Sequence, residues 1–295
     1  MEIKNFDARM TAWFQNGEKK RILPDMQNDP PEIMNLSGSW RIRKAADDAE
    51  TVYISEKFGV RSLHIGSDTV QSAMRIAAPN DLEVSYTRAM MGFLLFLEKP
   101  QSVLMIGLGG GSVAKFIYHR MPWTKIRVIE INERVLTVAR RYFAVPDNDE
   151  RFEVIISDGE EFVSRPKVCA DLLVVDGYDG ESLVEALATP QFYRDCHDRL
   201  NKGGMLVVNL WGGDRQFHET VKRIETVFPE GTLCLPAERP GNIIVFGFRS
   251  TPAKQEWLDL WRRAAALEAN YGLPFSRFVE GLRKMNKHVG KYLLV

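Results

Sequence analysis

Long hydrophobic runs are missing from this 295-residue chain: the longest, Ala89 to Leu97, is far below the roughly twenty residues a membrane-spanning helix needs. The N-terminus, Met1-Glu2-Ile3-Lys4-Asn5-Phe6-Asp7, lacks the basic segment and apolar run of a secretory signal. Cysteine is scarce. Cys169, Cys196 and Cys234 lie far apart with no Cys-x-x-Cys pair, which argues against a disulfide framework and a zinc site and leaves buried, reduced thiols as the expectation. Net charge is zero, with 39 Lys plus Arg against 39 Asp plus Glu, so no global field steers the chain onto nucleic acid or an anionic membrane. The five histidines, His64, His119, His197, His218 and His288, are dispersed without ligand spacing. These absences together lead us to expect a cytoplasmic globular protein without metal, nucleic acid or membrane partner.

What is present is organised around Val103-Leu104-Met105-Ile106-Gly107-Leu108-Gly109-Gly110-Gly111-Ser112, an apolar run that breaks into glycine and resumes as a helical pattern from Val113 to Arg120. This reads as strand, tight turn and helix start. Gly107, Gly109 and Gly111 let the backbone approach a ligand closely, and the helix N-terminus offers unpaired N–H groups. Taken alone the turn suits a dinucleotide, an adenosine-type cofactor or tight packing.

Four regions follow from composition and periodicity. Residues 1–50 form an unassigned extension with a short helix expected at Met10–Phe14. Residues 51–80, with alternating runs broken by Phe58-Gly59 and Gly66-Ser67-Asp68, read as a small antiparallel sheet. From 81 to 250 a helix is expected over Leu82–Leu97, then strands at Ile126–Ile131, Phe152–Ile156, Asp171–Val175 and Met205–Leu210 alternate with helices at Glu133–Phe143, Pro190–Leu200 and Phe217–Phe228. Lys202-Gly203-Gly204 reads as a helix C-cap and turn. Thr232–Leu235 and Asn242–Phe248, separated by Pro236, Pro240 and Gly241, read as a closing antiparallel hairpin. Residues 251–295 carry two amphipathic helices, Lys254–Ala269 and Phe275–His288. The fold class is therefore α/β: a Rossmann-like sheet of the S-adenosylmethionine-dependent methyltransferase type, with a small N-terminal antiparallel β domain. A dinucleotide fold would continue with crossover helices where this chain places its hairpin.

Open parallel sheets bind ligands beyond the carboxyl ends of their strands. Here the strand ends carry the glycine turn, Glu130, Ser157-Asp158-Gly159 and Asp176-Gly177-Tyr178-Asp179-Gly180. Glu130 is placed to accept hydrogen bonds from ribose hydroxyls and Asp158 to read an adenine amino group; either acid alone also suits a helix N-cap. Four such strand ends in succession are more specific than any one.

The order of motifs resembles the spermidine synthase family, the polyamine aminopropyltransferases, over about Val60 to Arg249: Val70-Gln71, Tyr86, the glycine turn, Val128-Ile129-Glu130-Ile131, Asp158-Gly159, the Asp-x-x-Asp loop 176–179, and Gln191-Phe192-Tyr193. The resemblance implies that Glu130 holds a ribose, Asp158 reads adenine, Gln71 contacts the donor, and Asp176 with Tyr86 prepares an attacking amine. It implies decarboxylated S-adenosylmethionine as co-substrate, a small amine as acceptor and, with base rates, a homodimer. Asp179 and Glu181 are expected to attract the second charge of a diamine. The chain departs from the family's pattern at Gly110, where the family has an aspartate, at Thr87-Arg88, where histidine and glutamate usually follow the tyrosine, near Glu238-Arg239-Pro240-Gly241, where a tyrosine is replaced, and at Asn209 in place of a glutamine. The expected function is aminopropyl transfer to an amine with release of methylthioadenosine. The alternatives are transfer of methyl or an aminocarboxypropyl arm from intact S-adenosylmethionine, motivated by Gly110 and by the cation of Arg88, and a nucleoside-binding protein without turnover.

Overall fold

The computed structural model describes residues 52–165, 169–178, 184–239 and 241–295; the helix expected at Met10–Phe14 lies outside them. Period-two alternation builds β1 (Val52–Lys57), β2 (Val60–Ile65) and β3 (Val70–Arg75), paired antiparallel in the order β1-β2-β3. The helix expected over Leu82–Leu97 is shorter and divided: α1 (Ser85–Met90) tightens into a 3₁₀ turn at Met91–Leu95. Gly92 lets this turn lie against the sheet, for a Cβ there would stand 2.7 Å from Leu235 Cδ2.

The strand–helix alternation then runs β4 (Ser102–Ile106), α2 (Ser112–Arg120), β5 (Lys125–Glu130), α3 (Glu133–Tyr142), β6 (Phe152–Ile156), α4 (Gly159–Ser164), β7 (Ala170–Val175), α5 (Pro190–Asp198), β8 (Leu200–Trp211) and α6 (Phe217–Val227). The hairpin β9 (Thr232–Pro236) and β10 (Asn242–Phe248) follows, then β11 (Gln255–Glu256), α7 (Trp257–Tyr271), α8 (Phe275–Met285), β12 (His288–Val289) and β13 (Tyr292–Leu293). Side chains start three of the helices. Asn132 accepts from the Arg134 N–H, Asp158 from Glu161 and Thr189 from Phe192, each satisfying a donor the helix leaves open.

The central sheet has the order β6-β5-β4-β7-β8-β10-β9, parallel from β6 to β8 and antiparallel where β10 joins β8 and β9. Its parallel strands are covered on both faces, which is why they read as continuous apolar runs. Met105, Val128, Val174, Val207, Ile244 and Phe246 point to one face, in a cluster that takes in residues of α1, α2, α7 and α8; Leu104, Ile106, Ile129, Leu173, Val175 and Val208 point to the other, with residues of α5 and α6. The small sheet presses Val52, Ile54, Leu63 and Met74 onto Val135, Val138 and Phe143, on and just beyond α3. Lys115 of α2 joins the two sheets: its buried ammonium donates to the carbonyls of Pro79 and Phe143. At the far edge Asn286 pairs its side chain with both the N–H and the carbonyl of Cys234, 2.7 Å each, so the backbone of that residue is satisfied without a neighbouring strand.

Two local expectations are corrected. Lys202-Gly203-Gly204 is not the cap of α5, whose C-cap is Arg199; β8 begins at Leu200, and these residues form its irregular start, where pairing with β7 shifts register and Gly203 takes φ +80°. Cys196 and Cys234 are buried, but Cys169 is exposed, because it precedes β7 rather than lying within it.

Candidate active site

The glycine turn joins β4 to α2 with Gly107, Gly109 and Gly111 at φ +96°, +52° and +67°. Gly107 has no room for a side chain in any case, since a Cβ would stand 2.2 Å from the Asp176 carbonyl oxygen. Backbone bonds fix this crossing point: Gly107 N–H donates to Ile129 O at 2.8 Å and Asp176 N–H to Ile106 O at 2.9 Å. Three adjacent strand ends are thereby held against one another.

Glu130 is buried and accepts from the backbone N–H of Leu108 on one oxygen and of Asn132 on the other, 2.9 Å each. Burial raises its pKa, and these N–H groups, with those of Ile131 and Gly109, oppose the rise. Two oxygens offer about four acceptor positions; the bonds from Leu108 and Asn132 take one on each, and the others serve the Gly109 and Ile131 N–H groups or a ligand hydroxyl in their place. Beside it Ile131 is 69% exposed, and Ile156, the register partner of Glu130 on β6, is 43% exposed. Asp158, one strand end further, uses one oxygen to cap α4, and Gly159 packs so tightly that a Cβ would meet Ile106 Cγ2 at 2.4 Å.

Asp176 lies on the other side of the turn. Its Oδ1 accepts from Asn209 Nδ2 at 2.9 Å, and Asn209 Oδ1 accepts in turn from Asn242 Nδ2 at 3.0 Å. The Tyr86 hydroxyl stands between two acceptors, hydrogen-bonding the Asp176 carboxylate and reaching the Gln71 carbonyl at 3.3 Å. Burial pushes the Asp176 carboxyl above the usual aspartate value, against the pull of Asn209 and Tyr86. Burial, and then the charge of Asp176, push Tyr86 well above the ordinary phenol value, so it stays protonated as a donor. Tyr178 donates to Asn209 O at 3.2 Å, and the same two causes raise its pKa.

Of the residues expected from sequence, Gly107 meets the Asp176 carbonyl, Glu130 meets the turn at Leu108 and Gly109, and Tyr86 meets Asp176 and the Gln71 carbonyl, while Asp158 and Gly159 follow the neighbouring strand β6 and Gly111 packs against Val145 at the start of α2. Asp179 and Glu181 lie outside the described residues. Arg88 is not a free cation: Nε pairs with Glu238 at 3.1 Å, and Nη1 donates to the carbonyls of Leu82 and Glu83. Gly110 is enclosed, with Ser72 Oγ 2.7 Å and Phe143 Cδ1 2.9 Å from where its Cβ would be; Ser72 in turn meets Ser112 at 3.3 Å between hydroxyl oxygens. Sequence reading assigned no role to Asn209, Asn242, Tyr178 or Trp211. An asparagine inside Val207-Val208-Asn209-Leu210 was a usable signal, since a polar side chain in a buried strand needs a partner.

The spermine/spermidine synthase domain matches residues 83–252 of this chain, and a polyamine aminopropyltransferase from Chromobacterium violaceum is 40% identical over 255 residues, 86% of this chain and 98% of that protein. The chain belongs to the spermine/spermidine synthase family. The match starts near α1, so Tyr86, the glycine turn, Glu130, Asp158 and Asp176 all lie within the family's shared region. Solved structures agree on the fold: a spermidine synthase in complex with the transition-state analogue AdoDATO has a TM-score of 0.60 at 21% identity, covering 85% of this chain and 81% of its own. Human methyltransferase-like protein 13 in complex with SAH has a TM-score of 0.58 at 25% identity, covering 64% of this chain and 93% of its own. The Rossmann-like sheet is thus common to synthases and methyltransferases.

Proposed function

We propose that this enzyme transfers an aminopropyl group from decarboxylated S-adenosylmethionine to a small amine and releases methylthioadenosine. The observation that carries the reading is Asp176: a desolvated carboxylate, steadied by Asn209 and Tyr86, immediately beside a glycine turn and a ribose-competent Glu130. Several features fit the donor. The glycine turn leaves backbone bare for close approach, Glu130 has acceptor capacity for vicinal hydroxyls, and exposed Ile131 and Ile156 offer apolar cover to a flat base. Asp158, with its free oxygen, is the residue to read the adenine amino group, and Gln71 closes the donor side.

The donor supplies a sulfonium whose adjacent carbon is open to in-line displacement. The protein's task is to present a neutral amine. An alkylamine with a pKa near 10.4 is mostly protonated at neutral pH, and freeing its lone pair costs roughly 4 kcal/mol. Asp176 accepts the proton, Tyr86 holds the carboxylate in place from the α1 side, and positioning contributes the remainder. Asp179 and Glu181, three and five residues after Asp176 in the sequence, are the acids we assign to a second ammonium. Transfer from intact S-adenosylmethionine loses one of its two motives, because Arg88 is committed to Glu238 and to two carbonyls, and Gly110 alone supplies no group to hold a carboxylate.

The test is to incubate the enzyme with each donor and a panel of amines. Methylthioadenosine should appear only with the decarboxylated donor; S-adenosylhomocysteine from the intact donor would overturn the reading. Asp176→Asn, close in size, should lower kcat/KM by about a hundredfold or more while leaving the thermal midpoint near that of the parent.

A further inference from the structure

Trp211, the last residue of β8, is 44% exposed, and the mechanism above gives it no work. Three observations place it. The first is register. Trp211 pairs directly with Asn242 and lies two residues beyond Asn209, so all three side chains stand on the same face of the sheet, and the other two form the hydrogen-bonded chain that ends on Asp176. The indole therefore stands at the rim of the Asp176 site.

The second is the way the ring is held. A Cβ on Gly241 would lie 2.1 Å from Cζ3 and 2.4 Å from Cη2 of the indole, and one on Gly213 would lie 2.7 Å from Nε1. The two glycines make room for the ring, and the bond from Gly212 N–H to Gly241 O, 2.7 Å, closes the clasp behind it. A large aromatic group is thus fixed in one orientation while much of its surface stays open, although packing it inward would bury far more area.

The third is charge. The Tyr178 hydroxyl accepts from the backbone N–H of Trp211, and both Asp176 and Asp214 act on that phenol. Of the acids close by, Glu238 is shared between Arg88 and Arg277, while Asp214, whose Oδ1 takes the Gln216 N–H at 2.8 Å, keeps its negative charge. Beside these acids, and in concert with Asp179 and Glu181 as assigned above, the open indole face offers an ammonium a π surface on the rim.

We propose that Trp211 determines which amine the enzyme accepts: its indole forms the wall along which the methylene chain of the acceptor lies, and its π face holds an ammonium at the far end. This rests on the aminopropyl-transfer reading. Alkyl chain and cation both suit an indole face, and a ring already immobilised loses little freedom on binding.

The experiment compares wild type, W211L and W211F on α,ω-diamines and on n-alkyl monoamines of matched length, with KM and kcat for each amine and KM for the donor. W211L should raise the diamine KM about tenfold, shift the monoamine KM much less, and leave the donor KM within about twofold of wild type. W211F, which keeps a ring in the clasp, should retain most of the diamine preference, and diamine should quench the fluorescence of wild type more than that of W211F. An unchanged diamine-to-monoamine ratio in both variants would overturn the proposal, as would a donor KM rising in step with the amine KM. Release of methylthioadenosine by wild type is the separate control: its absence with every amine would overturn the underlying reading and this proposal with it.

Discussion

Asp176 is a carboxylate kept from water, and its usefulness depends on what stabilises its charge. The Asn209 amide supplies one hydrogen bond to Oδ1 and is itself oriented by Asn242. Hydrogen bonds to the ionised form lower a carboxyl pKa, so removing this one raises it further. Asn209→Leu should therefore move the acidic limb of the kcat/KM profile upward by about one to two pH units, the equivalent of one charge-assisted bond. Activity is lost first at low pH and recovers as pH rises through the new value. An acidic limb that stays in place would show that Asp176 is not the group titrating. The sequence places Asp176 after an apolar strand, but nothing in it pairs that acid with a residue 33 positions away; the parallel pairing of β8 with β7 brings Asn209, and the antiparallel pairing of β10 with β8 adds Asn242.

At the scale of elements, two glycines in left-handed conformation separate function from local strain. Gly107 has φ +96° and faces the Asp176 carbonyl, a backbone atom that has nowhere to move. Gly203 has φ +80° in the irregular start of β8, with open space where a Cβ would go. Gly203→Ala should cost only the left-handed strain, about 1–2 kcal/mol in urea unfolding, with donor KM unchanged. Gly107→Ala should destabilise more and raise the donor KM at least tenfold, because relieving the contact displaces either the turn or the Asp176 strand end. Equal effects of the two on donor KM would remove the turn from the donor site. The turn itself was legible, since an apolar run breaking into glycine before a helical pattern has few readings. Lys202-Gly203-Gly204 misled for a related reason: the pattern marks a backbone departure, and only the pairing with β7 shows that it lies inside a strand rather than after a helix.

At the scale of the molecule, Lys115 holds the small sheet to the large one. Its ammonium is buried, and that burial lowers its pKa to about 8. Between about pH 8 and the ordinary lysine value near 10.4, the unfolded chain retains a proton that the folded chain has lost. Unfolding free energy from this group therefore rises with pH across that window, by about 3 kcal/mol when complete. The stability of wild type relative to Lys115→Met should increase by about that amount between pH 7.5 and 10.5, read by urea unfolding at each pH. A constant difference would show that the carbonyls of Pro79 and Phe143 offset the burial of the charge in full.

The sequence by itself determined the order of the long strands and helices, though not α4 or the short strands β11 to β13, together with the two-sided burial of the parallel strands, the closing hairpin and the strand-end positions of Glu130, Asp158 and Asp176. Each of these is a local property: hydrophobic period, a glycine break or a polar residue ending an apolar run is visible within a short window. The tertiary structure alone decided the partners. It set Tyr86 of α1 against Asp176, spent Arg88 on Glu238, closed Ser72 and Phe143 around Gly110 and brought Trp211 to the rim between two glycines. Apart from the neighbouring Gly213, those contacts join residues dozens and up to 150 positions apart, and their distances follow from how strands are ordered and paired in the sheet, which no local pattern records.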